Sequence, residues 1–208
     1  MKPKMFDPER IFYRLMNAEY AADHPEALTM PFHGMTITFH YYLGDREGGC
    51  ASLIFTYGMA YMMEMDAESV LSAAHENTPV LFPLCCEPLH EMCMKAGDRE
   101  KLPEEEDIER LLEREMPPAF VITNEQGLCG AAAVLYPGVL RSVAEYFEDD
   151  LYLIPSSIHE MILVPTRLKA DREEVDRMIR EVNAAVVSEE EVLNERCLCY
   201  RRSDGHFD

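Results

Sequence analysis

Two hydroxyls, an imidazole and a carboxylate fall within five consecutive positions, at Ser156, Ser157, His159 and Glu160. These are the residue types of an acyl-transfer site, in which a hydroxyl attacks, a histidine takes its proton and a carboxylate orients the ring. Local geometry works against that reading. Neighbours on a strand point to opposite faces, so His159 and Glu160 diverge instead of forming an orienting pair. No G-x-S-x-G elbow occurs anywhere in the chain. The plainer expectation is a polar turn in which Ser156 or Ser157 ties the backbone and His159 is satisfied by backbone or water. Ile154, Ile158 and Ile162 would then share the buried face, with no hydroxyl or carboxylate oriented on His159.

Metal ligands are the next chemistry to weigh. The dipeptides His75-Glu76, His90-Glu91 and His159-Glu160 each lack the second histidine four residues on that a zinc-protease helix needs; Pro79, Met94 and Leu163 stand there. Cys86, His90 and Cys93 fall at i, i+4 and i+7, one face of a helix if residues 84–95 are helical, and Cys197 or Cys199 could add a fourth ligand. There is no paired C-x-x-C knuckle, so the expectation is free thiols, no structural metal and no cofactor. The run Glu104–Asp107 reads as a solvated helix cap before it reads as a cation site.

Composition narrows the partners. With 39 acidic and 19 basic residues the net charge is −20, which repels phosphate backbones and anionic lipid. Nucleic acid and membrane surfaces are therefore not expected partners. The start of the chain lacks the apolar region of a secretion signal, and no span approaches the length of a membrane helix. Seven cysteines without a framework spacing indicate reduced thiols in a cytoplasmic protein. Fourteen methionines and no tryptophan suggest an adaptable core.

The elements that must position these residues follow from periodicity and punctuation. Asp7-Pro8 starts a helix with Ile11, Leu15, Ala18 and Ala22 at helical spacing. Residues 35–43 and 51–57 form a hairpin around the loop Gly44–Gly49. Asp66 caps a helix ended at Asn77–Pro79, and residues 84–95 read as another. An acidic helix with the stripe Ile108, Leu111, Leu112 and Met116 follows Pro103. Residues 119–123 and 128–136 read as a second hairpin, and Pro137 opens a helix to about residue 148. Leu151–Ile154 and Met161–Val164 form the central hairpin, with Pro155 closing its first strand. Asp171 and Glu174 make a capping box, Ser188 and Glu191 repeat it, and residues 196–202 alternate as a closing strand. The fold class is α+β, a mainly antiparallel sheet built of hairpin-then-helix units at 35–77, 119–148 and 150–185 with helices packed on it. One α+β domain over 1–208 is expected, with parts at 1–96, 97–118 and 119–208. The small-residue run Gly130–Ala133 calls for close packing.

Several segments carry a family resemblance. They are Gly130–Leu140, Tyr152–Glu160 with Val164-Pro165, Arg180–Asn183, Glu190–Leu193 and, earlier, Ala67–Pro79. Together they resemble an uncharacterised bacterial domain of unknown function over most of the chain from about residue 10. Family members carry further sequence before the position of Phe6, so the resemblance implies an N-terminally shortened member. It implies no activity, cofactor or catalytic residue.

The reading favoured by the sequence is a non-enzymatic cytoplasmic domain binding a protein or small ligand. The alternatives are a hydrolase-like enzyme using His159 with Ser156 or Ser157, and an acidic decoy for a basic nucleic-acid-binding protein. Ordinary solubility explains the charge without the decoy.

Overall fold

The computed structural model describes residues 6–47, 49–96, 118–168 and 171–208, with backbone alone for 93–96. The sequence-predicted acidic helix beyond Pro103 lies outside these residues. What is described is α+β: two antiparallel sheets with helices packed against them.

The first sheet is organised by one long strand. Strand β1 (Ile11–Asn17), helix α1 (Tyr20–Asp23), β2 (Thr29–Phe32), β3 (Met35–Arg46) and β4 (Gly49–Ile54) follow in order. β3 pairs with β1 on one side and with β2 and then β4 on the other. The expected hairpin is thus present, with longer strands. The expected helix over residues 11–22 is not: Asp7 caps only the short 3-10 turn Pro8–Arg10, accepting from the Glu9 N–H, and Ile11 goes straight into β1. Both faces of β1 are covered, so it shows an apolar run interrupted only by Arg14, in which a helical spacing arises by chance.

Helices α2 (Tyr57–Met62) and α3 (Ala67–Leu81) come next. Asp66 caps α3, which continues past Asn77 with Pro79 inside it. Two side chains on α3 supply the partners that the outer edge of β1 lacks. Asn77 Nδ2 donates to the Pro8 and Ile11 carbonyls, and Thr78 Oγ1 accepts from the Tyr13 N–H at 3.2 Å while donating to the Ala74 carbonyl. An unpaired strand edge is thereby closed by a helix.

The second sheet runs β5-β6-β8-β7-β9. Its strands are β5 (Leu84–Pro88), β6 (Phe120–Asn124), β7 (Leu151–Ser157), β8 (Glu160–Pro165) and β9 (Leu198–Tyr200). Residues 84–88 are strand instead of helix, and α4 starts only at Leu89, spanning Leu89–Ala96. β6 has β5 on one side and β8 on the other, which leaves no edge for residues 128–136. That segment forms a 3-10 helix, Gly130–Leu135, so the expected second hairpin is absent and the unit over 119–148 is strand, 3-10 helix and α5 (Val139–Phe147). Its first residue explains the glycine: a Cβ at Gly130 would lie 2.1 Å from Thr123 Oγ1 and 2.7 Å from the His159 carbonyl.

The central hairpin is antiparallel as expected, but Pro155 does not end β7. It sits beside a register shift, beyond the stretch paired with β9, and Ser157 still pairs with Glu160. Leu151, Leu153, Met161 and Leu163 face the main core, which runs through both sheets. Ile154 and Ile162 are on the opposite face from those residues, and Ile154 with Tyr152 packs toward Val175 and Ile179 of α6 (Arg172–Val186). The expected sharing of one face by Ile154, Ile158 and Ile162 is therefore corrected, because the register shift changes the face presented beyond Pro155.

Burial predicts the cost of truncation. Leu163→Ala is expected to destabilise by about 2–5 kcal/mol and the half-buried Ile162→Ala by clearly less, as measured by urea unfolding of the two variants.

Candidate functional site

The turn between β7 and β8 is made by Ile158 and His159 themselves. Ile158 donates its N–H to the Glu191 carbonyl at 2.9 Å, and its carbonyl accepts from Ala131 at 3.2 Å. The His159 N–H goes to Ser157 Oγ at 3.0 Å, and its carbonyl accepts from Thr123 Oγ1 at 2.8 Å. On the ring, Nδ1 accepts the Cys129 N–H at 3.1 Å and Nε2 faces Glu191 Oε1 at 3.3 Å. The Cys129 bond fixes the ring proton on Nε2 in the neutral imidazole. A carboxylate is thus oriented on His159 after all, from residue 191 and not from its neighbour Glu160. Hydrogen bonds from Ser188 and His159 hold the Glu191 carboxyl below the usual carboxylate range.

Neither seryl hydroxyl is hydrogen-bonded to the imidazole. Ser156 Oγ donates to Glu160 Oε1 at 3.0 Å, and Ser157 Oγ is engaged by the His159 N–H. The arrangement is a tie between the hairpin tip, β6, the loop before the 3-10 helix and the turn at Glu189–Glu191. The candidate metal face is not assembled either: Cys86 lies on β5 and His90 on α4, with the strand-to-helix change between them, and the Cys93 side chain lies outside the described residues. Among the described residues no cluster of three or more His, Cys, Asp or Glu side chains could hold an ion.

Next to this tie, on the other side of Cys129, is a cavity of about 160 Å³. Phe12 and Arg14 come to it from β1, Cys50 from the start of β4, Phe82 from the end of α3, and Cys129 and Tyr136 from the two ends of the 3-10 segment. Gly49 stands at its rim because a Cβ there would come within 2.9 Å of Leu128. The Tyr136 hydroxyl donates to the Phe82 carbonyl at 2.7 Å and so closes one wall. Arg14 is half-buried, with its guanidinium 5.4 Å from the Phe12 ring centroid. Its side-chain partners are Cys50 Sγ at 3.8 Å and Ser52 Oγ at 3.5 Å, and no carboxylate among the described residues pairs with it. Sequence reasoning did not single out Arg14. The available signal was a lone cation inside the apolar run Ile11–Met16.

Burial pushes the Cys129 thiol up, with Arg14 pulling the other way, so the cavity presents a thiol instead of a thiolate. Behind Phe12, His40 is buried, stacked on that ring and held by Thr38 Oγ1 at 2.9 Å. Its pKa is pushed down to about 3 by burial and then by the nearby Arg14 and His24. The Tyr13 hydroxyl is buried with no partner among the described residues, and the structure offers no reason for it.

Two outcomes follow from this geometry. His159→Ala strands the Cys129 N–H and should cost about 1–3 kcal/mol in chemical denaturation, part of it recovered in His159→Asn, which keeps an acceptor near the Nδ1 position. His40 binds no proton in the folded chain until about pH 3, whereas the unfolded chain takes one up near 6.5. Stability should therefore fall as pH drops through that window, by about 1.4 kcal/mol per pH unit from this group. Urea titrations from pH 7 to 4 should show a shallower slope for His40→Gln.

No curated protein and no solved structure matches the chain. A family of unknown function, DUF5688, matches residues 8–202 and takes in the hairpin tip, the Cys129 loop and the Arg14 cavity. The chain belongs to that family.

Proposed function

We propose that this chain is a non-enzymatic binding domain of the cytoplasm that takes a small ligand in the cavity at the junction of its two sheets. One observation carries the reading. The reactive-looking groups of the Ser156–Glu160 turn are engaged in holding the fold, whereas the half-buried Arg14 guanidinium borders open space with no carboxylate on it among the described residues. Concave sites lined mainly by apolar groups with a few placed polar ones are where small molecules bind. The free thiols Cys50, Cys86, Cys129, Cys197 and Cys199 suit a reducing compartment. The net charge of −20 favours a small ligand over nucleic acid or an anionic membrane surface.

The test pairs a fragment panel with a serine-directed probe. Single-ring fragments should raise the melting temperature of the wild-type chain but not of Leu128→Trp, in which an exposed residue of the cavity rim is enlarged. A fluorophosphonate should leave Ser156 and Ser157 unlabelled. Labelling of either serine, lost in its alanine variant, would overturn the proposal in favour of a hydrolase.

A further inference from the structure

We infer that the cavity ligand is a compact carboxylate carried on a single apolar ring; this rests on the small-ligand reading above. Charge is the first argument. Some of the more exposed arginines pair with carboxylates, Arg141 with Glu145 at 3.2 Å and Arg177 with Glu181 at 3.0 Å, and others stand in water. Arg14 has none among the described residues, although acidic residues outnumber basic ones 39 to 19. A cation withdrawn from water and left with a thiol and a hydroxyl is under-compensated, and an arriving anion removes that deficit. A guanidinium presents parallel N–H donors that match a carboxylate fork to fork.

Shape and polarity set the rest of the ligand. Phe12, Phe82 and Tyr136 line the cavity, and the tyrosine hydroxyl is already given to the Phe82 carbonyl. These walls suit an apolar body. The volume of about 160 Å³ is close to the roughly 150 Å³ that accommodates benzene in an apolar protein cavity. His40, neutral behind Phe12, adds no second positive charge. One guanidinium in a chain of net charge −20 therefore favours a single negative charge over a dianion.

The experiment uses the full chain with benzoate, benzamide and phenyl phosphate. Dissociation constants are read by calorimetry, and alkylation of Cys50 by iodoacetamide is followed peptide by peptide. Benzoate should bind about tenfold tighter than the isosteric benzamide and slow Cys50 alkylation. Arg14→Gln should bring benzoate to the benzamide level and leave benzamide within about twofold. Arg14→Lys, which keeps the charge without the fork, should fall between. Equal binding of benzoate and benzamide by the wild-type chain overturns the carboxylate inference while leaving the small-ligand reading standing. Tighter binding of phenyl phosphate overturns the single-charge argument. If none of the three binds, or if binding neither protects Cys50 nor weakens in Leu128→Trp, the small-ligand reading fails and the inference with it.

Discussion

Reversing the chain at Ile158 and His159 places four backbone polar groups where each must be paired. An unpaired buried N–H or carbonyl costs as much as a lost hydrogen bond, so the tip of the hairpin can exist only where partners are supplied. They come from Glu191, Ala131, Ser157 and Thr123, and the imidazole adds a fifth tie to the Cys129 N–H. Two segments distant from the tip in sequence, residues 123–131 and the turn at 191, are thereby fixed to one point. The loop after β6 must rise to meet His159, and the polypeptide after α6 must return to place the Glu191 carbonyl and carboxylate. The glycine at 130 follows from the same demand, since the His159 carbonyl and Thr123 leave no room for a Cβ there.

Much of this architecture was legible in the sequence, and the losses have physical causes. The helices α3, α5 and α6 were readable because each has a cap or a proline at its start, as with Asp66 and Asp171, and the central hairpin because two short apolar runs flank a polar turn. Misreadings fell where tertiary pairing decides. β1 is covered on both faces and so loses the alternation that marks a strand. Residues 128–136 have acceptable strand composition but no free edge to join, because β5, read as part of a helix, occupies that side of β6. The register shift near Pro155 is one more long-range effect: it changes which face Ile158 occupies relative to Ile154, and period-2 counting passes straight through it.

The two candidate sites differed in the same way. A cluster of reactive types at 156–160 is visible by inspection, yet its roles depend on Cys129 and Glu191, which only the fold brings near. The cavity is harder to see still. Its walls come from four stretches, residues 12–14, 49–50, 78–82 and 124–136, that only the fold brings together. Arg14 was the single local hint, and an isolated arginine in an apolar strand is commonplace when its stem lies along the sheet and its head reaches water.

Cys129 belongs to both features, and that would link stability to the binding proposed above. Its backbone is in the left-handed region at φ 50°, a conformation that is disfavoured for a residue with a side chain and needs support from its surroundings. The His159 ring gives that support through the N–H, and in doing so sets where the Cys129 side chain meets the cavity. The β1 wall is held by Thr78 on the Tyr13 N–H, and Tyr136, at the far end of the 3-10 segment from Cys129, ties that segment to the Phe82 carbonyl. Arg14 is therefore carried on a strand closed by a helix, and it faces a loop anchored by a histidine. A guanidinium carried between walls fixed in this way would lose little freedom to the carboxylate proposed above, which is how a preorganised site gains affinity from few contacts.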